Sequence, residues 1–224
     1  LYNRTRVYCS AVHRLGSDAL LLARFSEPKR AWRAADLCSG CGIVSLEWHD
    51  RGHRGPCLGL ELQPEASALL AAACTEQGIE HITPVCADLR SFREGEGSYD
   101  LCACNPPYFT AGEQAADRAR ATARHETDCT LDDICAAAAW LLRTGGSFSL
   151  VHKPERLSEA FCTMSARGIE PKRLRTVHSR YDAAPSLVLI EGRRGGRPGL
   201  KIEKPLILTE NGEESAEFRR IYHR

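Results

Sequence analysis

The sequence predicts an α/β protein with a mostly parallel seven-stranded sheet and helices on both faces. Short apolar segments with the character of strands alternate with segments of helical period along most of the chain. The 224 residues, of which 43% are hydrophobic, suffice for one sizeable core. Because strand-helix-strand units are right-handed and bury both faces of their sheet, this alternation favours a parallel sheet.

Seven segments are predicted as strands from their apolar and β-branched content, with Gly, Pro or charged residues at their ends. They are 34–38, 57–61, 82–86, 99–104, 147–151, 173–177 and 186–191. Helices are predicted at 43–50, 64–78, 130–143 and 154–167. Pro64 suits a first helical turn, and Thr130 to Asp133 has the spacing of a capping box.

We expect one domain over 1–224, made of an N-terminal segment 1–33, a core 34–192 and a C-terminal tail 193–224. No apolar run reaches the length of a membrane span, and the first residues lack the apolar core of a signal peptide. The eleven cysteines are odd in number and scattered, which favours reduced thiols. These features predict a cytoplasmic protein without a membrane partner, and we expect a monomer.

The charge balance does not by itself indicate a nucleic-acid partner. The formal net charge is +1, whereas proteins that bind phosphates usually carry a clear basic excess. Basic residues are nevertheless grouped in two places, each of which is a candidate for phosphate contact. One group includes Arg124 and His125, and the other comprises Arg193, Arg194, Arg197 and Lys201.

The most informative stretch is the apolar strand that leads into Asn105, Pro106, Pro107 and Tyr108. Two successive prolines have no N–H and a fixed φ, so they end the strand ladder and stiffen the backbone. Asn105 adds a side-chain carbonyl beside the Pro106 carbonyl, and Tyr108 adds a flat face on which a ring can stack. Two acceptors beside an aromatic face suit the amino group of a planar amine.

A glycine turn follows the first predicted strand. Gly40 and Gly42 allow a ligand to approach the backbone, and the helix that follows offers N–H groups. The turn lies between Asp36 and Ser45 and includes Ser39. It lacks the third glycine of a dinucleotide-binding motif and the lysine of a P-loop.

Acceptor side chains follow the next strands at the positions where α/β sheets bind ligands. Glu61 ends the second strand, about twenty residues after the glycine turn, and is well placed to accept from two ribose hydroxyls. Asp88 follows the third strand and is a candidate acceptor for an adenine amino group. Asn105 follows the fourth. Each acid alone is more often a cap or a solvated loop residue, so their succession carries the prediction.

Cys38 and Cys41 form a C-x-x-C pair, which raises the question of a metal site. No second Cys or His pair stands at zinc-finger spacing, and both cysteines lie inside the glycine turn. We therefore predict that the protein holds no metal.

The set of strand-end residues resembles the class I S-adenosylmethionine-dependent methyltransferases that methylate planar amino nitrogens. The likeness runs over about 34–192 and rests on the glycine turn, Glu61, Asp88 and Asn105 to Tyr108. Peripheral segments are similar to bacterial tRNA1(Val) (adenine-37-N6)-methyltransferases. These segments are 13–22, 123–126, 174–178 and 204–213.

Four residues depart from the pattern of that family. Cys38 and Cys41 replace small or hydroxylated residues in the glycine turn, and Ser17 replaces a threonine. Gln63 replaces the aspartate that usually follows the ribose-binding acid, and we expect it to soften cofactor affinity.

The resemblance implies a Rossmann-like fold, S-adenosyl-L-methionine as cofactor and adenosine 37 of a valine tRNA as substrate. It implies a cofactor site formed by Asp36, Ser39, Gly40, Gly42, Glu61, Leu62, Asp88, Leu89 and Asn105. It implies catalysis by Asn105, Pro106, Pro107 and Tyr108, and RNA contacts by Phe109, Arg124 and His125.

An aromatic amine needs a particular kind of assistance, because its lone pair is delocalised into the ring. If the Asn105 side chain and the Pro106 carbonyl each accept one N6 hydrogen, the nitrogen becomes more tetrahedral and its lone pair localises. A single-stranded loop is the cheapest place from which to turn out a base, which agrees with an anticodon loop.

Three alternatives remain open on the sequence. A protein-glutamine methyltransferase uses a similar turn on a planar amide, although the segment before Asp36 is short for the helical substrate domain usual there. A DNA or ribosomal RNA amino-methyltransferase shares the chemistry, since the motif does not read the polynucleotide. A non-catalytic RNA-binding module has no need of the two acceptors.

Overall fold

The computed structural model describes residues 1–13, 16–106 and 129–222. The main strands are β1 Ala34–Leu37, β2 Cys57–Glu61, β3 Ile82–Cys86, β4 Tyr99–Cys104, β5 Leu142–His152, β6 Ile169–His178 and β7 Pro185–Arg194. The helices are α1 Ser17–Ser26, α2 Ile43–Asp50, α3 Pro64–Glu76, α4 Leu131–Leu141, α5 Leu157–Ala166 and α6 Ala216–Tyr222. None of these described helices is long and apolar enough to cross a membrane.

The main strands form one sheet in the order β3-β2-β1-β4-β5-β7-β6. The pairs from β3 to β5 are parallel, and β7 is antiparallel to both of its neighbours. Consequently β6 runs in the same direction as β1 to β5. The mostly parallel sheet is confirmed, and two short strands, β8 Lys201–Ile202 and β9 Leu206–Ile207, extend it beside β6.

Helices cover both faces of the sheet, as predicted. One buried cluster joins α1, α2 and α3 to the sheet and includes Leu22, Leu46, Trp48 and Leu70. A second cluster on the other face joins α4 and α5 to the sheet through Ile134, Leu141, Phe148 and Met164. Alanine and leucine on the inner sides of the helices allow this close approach. The N-terminal helix α1 was not predicted as a separate element.

The boundary between α4 and β5 differs from the prediction. The capping box at Thr130 and Asp133 begins the helix as expected. The helix ends at Leu141, because Leu142 already has extended angles of φ −71° and ψ 131°. The chain then continues as strand through Gly145, with a register shift against β4 between Tyr99 and Leu101. Gly145 and Gly146 therefore lie within an irregular start of β5.

The C-terminal tail returns to the sheet on the side of α1. A small hairpin of β10 Thr209–Glu210 and β11 Glu213–Glu214 leads into α6. The guanidinium of Arg175 on β6 donates to both carboxylate oxygens of Glu217 on α6 at 2.8 Å. Arg173 similarly links β6 to Glu203 at 2.9 Å. These ion pairs fasten the tail to the sheet.

Candidate active site

The carboxyl ends of β1, β2, β3 and β4 lie side by side along one edge of the sheet. Leu37 at the end of β1 is paired with Leu60 on one side and with Cys104 on the other. The glycine turn, Glu61 and Asn105 therefore meet at this edge, as the order of the strands requires. We call it the catalytic edge, because it holds the residues predicted to bind the cofactor and the substrate.

The two glycines of the turn have different roles. Gly42 has φ +80°, and a Cβ there would lie 2.2 Å from Cδ1 of the buried Leu70. Gly40 has φ +53°, and a Cβ there would meet no described atom within 4 Å. Gly42 is therefore required by the packing of α3, whereas Gly40 borders open space at the catalytic edge.

Glu61 joins the end of β2 to the glycine turn. Its Oε2 accepts from the Gly40 N–H at 2.8 Å, and its Oε1 accepts from the Gln63 N–H at 2.9 Å. The residue is only 7% exposed. A carboxylate offers about four lone-pair positions, so two N–H donors leave it capacity for ligand hydroxyls. Because residue 63 contributes its main-chain N–H, glutamine there serves as well as aspartate for this contact.

Asp36 on β1 bonds the first turn of α2, which follows the glycine turn. Its Oδ2 accepts from the Ser45 N–H at 3.1 Å, and the residue is 1% exposed. Burial raises the pKa of its carboxyl to about 7, against the opposing effect of the Ser45 hydrogen bond. This contact holds the first turn of α2 against the end of β1, and the role of Asp36 at the cofactor site stays a prediction.

The region after β3 contains a contact that the sequence did not reveal. Arg90 donates from Nε and Nη2 to the Asp88 carboxylate, at 3.0 and 2.6 Å, and its backbone N–H donates to Oδ1. These hydrogen bonds lower the pKa of Asp88. Asp88 therefore shares its acceptor capacity with Arg90, and only the short spacing of the two residues could have suggested the pair.

Two leucines flank the acids of the catalytic edge. Leu62 is 45% exposed directly after Glu61, whereas Leu89 is buried in the core below Asp88. Ser39 Oγ is buried without a hydrogen-bond partner among the described residues. An exposed apolar side chain, open space at Gly40 and unused acceptors on Glu61 together fit a nucleoside, with its base against Leu62 and its ribose on Glu61.

Asn105 and Pro106 follow β4 directly. Cys104 pairs with Leu37 of β1 and with Leu150 of β5, so Asn105 lies between the glycine turn and the end of β5. Pro106 is buried and Asn105 is half-buried. The other predicted residues of the substrate site, Pro107, Tyr108, Phe109, Arg124 and His125, lie outside the described residues.

The thiols of the C-x-x-C pair do not converge. The Cys38 thiol lies beside those of Cys104 and Cys129; the Cys104 contact and burial raise its pKa, against the lowering effect of the Cys129 contact. The Cys41 thiol faces Cys9, and burial raises its pKa to about 12. Over 1–13, 16–106 and 129–222, no three His, Cys, Asp or Glu side chains are grouped as metal ligands.

The second basic group lies away from the catalytic edge. Arg193 pairs with Ser147 near the start of β5, and Arg194 pairs with Ile169 at the start of β6. Their guanidinium groups donate to main-chain carbonyls of Gly145 and Arg167 at 2.9 Å. Because these strand starts lie at the edge opposite Asn105, phosphate contact there would not serve the same site.

The sequence is similar to known methyltransferases. The family model described as the methyltransferase small domain matches residues 1–166. A tRNA1(Val) (adenine(37)-N6)-methyltransferase of Dickeya chrysanthemi is 30% identical over 187 residues, which cover 82% of this chain and 74% of that protein. The protein of that name from Serratia proteamaculans is 29% identical and covers 93% of this chain and 81% of its own length.

Solved structures show the same fold. A predicted O-methyltransferase from Agrobacterium tumefaciens superposes with a TM-score of 0.75 at 19% identity, covering 92% of this chain and 95% of that one. An S-adenosylmethionine-dependent methyltransferase from Mesorhizobium loti gives 0.59 at 16% identity, covering 80% and 99%. With the family match over most of its length, the chain belongs to the methyltransferase small domain family and has the class I methyltransferase fold.

Proposed function

We propose that the protein transfers a methyl group from S-adenosyl-L-methionine to N6 of an adenine in RNA, most specifically adenosine 37 of tRNA1(Val). The observation that carries this proposal is the position of Asn105 and Pro106 directly beside the glycine turn. Because Leu37 pairs with Cys104, the two acceptors that follow Cys104 lie beside the glycine turn that follows Leu37. The substrate named for the relatives from Dickeya and Serratia supports the choice of RNA.

The described residues fit the nucleoside part of the cofactor. Glu61 would accept from its ribose hydroxyls, and Gly40 would allow it to approach the backbone. Leu62 would cover one face of the adenine, and Asp88 would receive the adenine amino group while retaining Arg90. The bound cofactor supplies an electrophilic methyl group.

The contribution of the protein to the amine is electrostatic. The Asn105 side-chain oxygen and the Pro106 carbonyl accept the two N6 hydrogens, so that the nitrogen lone pair is no longer shared with the ring. Pro106 is buried, and preorganised acceptors in a site of low dielectric stabilise developing positive charge on the amine without solvent reorganisation. The methylated amine then loses its proton to water, so no strong base is required.

The RNA side of the site rests on residues outside the described ranges. We propose that Tyr108 stacks on the target base, that Phe109 adjoins it and that Arg124 and His125 contact the RNA backbone. Such a protein would act in the cytoplasm, where tRNA is modified, and as a monomer it would carry one complete site.

The experiment separates RNA from protein as acceptor of the methyl group. The purified protein is incubated with methyl-labelled S-adenosyl-L-methionine and either unmodified tRNA transcript or a protein extract. We expect label in tRNA that is recovered as N6-methyladenosine after nuclease digestion. Label recovered only as methylglutamine in protein would replace this proposal with the amide-methylating alternative.

A further inference from the structure

The turn between β6 and β7 carries an exposed aromatic side chain on the side of the catalytic edge. Because β6 runs in the same direction as β4 and β5, its carboxyl end points to the same side as Asn105. Tyr181, in the turn after His178, is 87% exposed. Its ring is therefore presented to whatever approaches that edge.

The β6–β7 hairpin projects beyond the row of residues that precedes Asn105. Cys104, Leu150, Ile190 and Leu174 stand in one row across the sheet. From that row β6 continues to His178, about 13 Å at about 3.3 Å per residue. Three strand spacings separate β4 from β6, or about 14 Å laterally. Tyr181 thus lies too far away to touch the target base and close enough to meet a nucleotide beside it.

The hairpin is held by hydrogen bonds at its base. Nδ1 of His178 donates to the Ala183 carbonyl at 2.8 Å, and its Nε2 lies 2.9 Å from Thr176 Oγ1. The Ala183 N–H donates to the Arg180 carbonyl at 3.1 Å, and the tail donates from Thr209 N–H to the Ser179 carbonyl. A fixed turn presents an aromatic ring with little loss of conformational entropy on binding.

Cationic side chains lie on the same side of the sheet. Arg180 precedes Tyr181 and pairs only with Asp182 among the described residues, in an ion pair whose side chains are 68% and 74% exposed. Exposed ion pairs of this kind contribute little to stability, so Arg180 can leave Asp182 for a phosphate at small cost. Lys153 stands at the end of β5, between Asn105 and the hairpin. An aromatic ring among cations is the arrangement that binds single-stranded nucleic acid.

We propose that Tyr181 stacks on a base of the substrate RNA that flanks the target adenine, with Arg180 on an adjacent phosphate. This inference rests on the proposed function, since it extends the same site to the neighbouring nucleotides.

The test measures binding of a fluorescently labelled anticodon stem-loop RNA by anisotropy, which requires no methyl transfer. Tyr181→Ala should raise the Kd about 5- to 100-fold, whereas Tyr181→Phe should bind nearly as the wild type. Tyr2→Ala is the matched control. Tyr2 is 71% exposed, and Asn3 beside it bonds Asp50 at the end of α2, on the edge opposite Asn105.

The salt dependence separates stacking from phosphate contact. Arg180→Ala should reduce the slope of log Kd against log salt by about one, and Tyr181→Ala should leave the slope unchanged. Wild-type affinity of Tyr181→Ala, or an equal loss in Tyr2→Ala, would overturn the inference. Stem-loop binding that depends on Tyr181 without any methylation of adenine would support the inference and overturn the proposed function.

Discussion

At the scale of single residues, Glu61 connects the end of β2 to the glycine turn in the predicted cofactor site. Its carboxylate accepts from the Gly40 and Gln63 N–H groups, and a Cβ built at Gly40 would meet no described atom within 4 Å. The sequence predicted Glu61 from its distance to the glycine turn. It could not predict the contact with the Gly40 N–H, because that contact depends on the pairing of β1 with β2.

Glu61→Gln should weaken binding of S-adenosyl-L-methionine about 10- to 100-fold, because an amide cannot accept from both N–H groups and two hydroxyls. Titration calorimetry measures the affinity. Glu65→Gln, on the exposed first turn of α3, is the matched control and should bind the cofactor normally. Normal affinity of Glu61→Gln would remove Glu61 from the cofactor site.

Gly40→Ala and Gly42→Ala should have different consequences. Gly42→Ala strains a left-handed residue and forces Leu70 to move, so the free energy of unfolding should fall by about 2–5 kcal/mol. Gly40→Ala should lower it by only about 1–2 kcal/mol, yet weaken the cofactor because its Cβ enters the open space. Chemical denaturation and calorimetry on both variants measure the two effects. Equal loss of stability in both variants would show that a Cβ at residue 40 is no better accommodated than one at residue 42.

Asn105→Ala should mainly lower kcat, by about 100- to 1000-fold, since its contact strengthens as the amine becomes tetrahedral. Steady-state kinetics on tRNA with saturating cofactor measure the loss. Cofactor affinity should be retained, which separates a missing acceptor from a damaged fold. Turnover near that of the wild type would contradict the role of the side-chain oxygen.

At the scale of elements, the sequence predicted the first four strands and α2 within a residue of their bounds. Those segments are short, apolar and ended by Gly, Pro or acids, so local chemistry determines them. The end of α4 was misplaced because its alanine-rich sequence has no stop signal before Gly145. Pairing of Leu142 with Tyr99 ends the helix earlier, and such a tertiary contact is not visible in sequence.

The end of α2 and the start of β3 contain a histidine cluster that should make the fold sensitive to acid. His49 Nδ1 lies 3.3 Å from His81 Nε2, and His53 adjoins His81. The pKa of His49 is lowered to about 4, mainly by burial. The nearby charges of Arg54 and His81 lower it further, and the charge of Asp50 opposes them. The unfolded chain binds a proton that the fold excludes, so this stability is present above pH 6.5 and is lost as pH falls towards 4.

His49→Gln should therefore flatten the decline in the free energy of unfolding between pH 7 and pH 5. Urea denaturation across that range measures the slope, and His13→Gln, outside the cluster, should retain the wild-type slope. The raised pKa of Asp36 makes the fold less stable as pH rises, which opposes the effect of His49. Asp36 is present in all three proteins, so it does not affect their comparison. An unchanged slope in His49→Gln would show that the histidine is solvated in the native state.

At the scale of the whole molecule, the order of the strands brings residues separated by up to about seventy positions to one edge. The sequence predicted the sheet and the strand ends that carry chemistry, because parallel strands expose their carboxyl ends together. It did not predict the ion pairs of Arg173 and Arg175 that fasten the tail, nor the projection of the β6–β7 hairpin. The projection of the hairpin follows from the register across β5, β7 and β6, whereas the ion pairs depend on where the tail packs against β6.

The central claim is that this fold methylates N6 of one adenine in an anticodon loop. The most direct measurement maps the product by mass spectrometry on two transcripts of tRNA1(Val), one unchanged and one with guanosine at position 37. We predict N6-methyladenosine at position 37 of the first transcript and no methylation of the second. Methylation of both transcripts at another nucleotide, or of neither, would contradict the account.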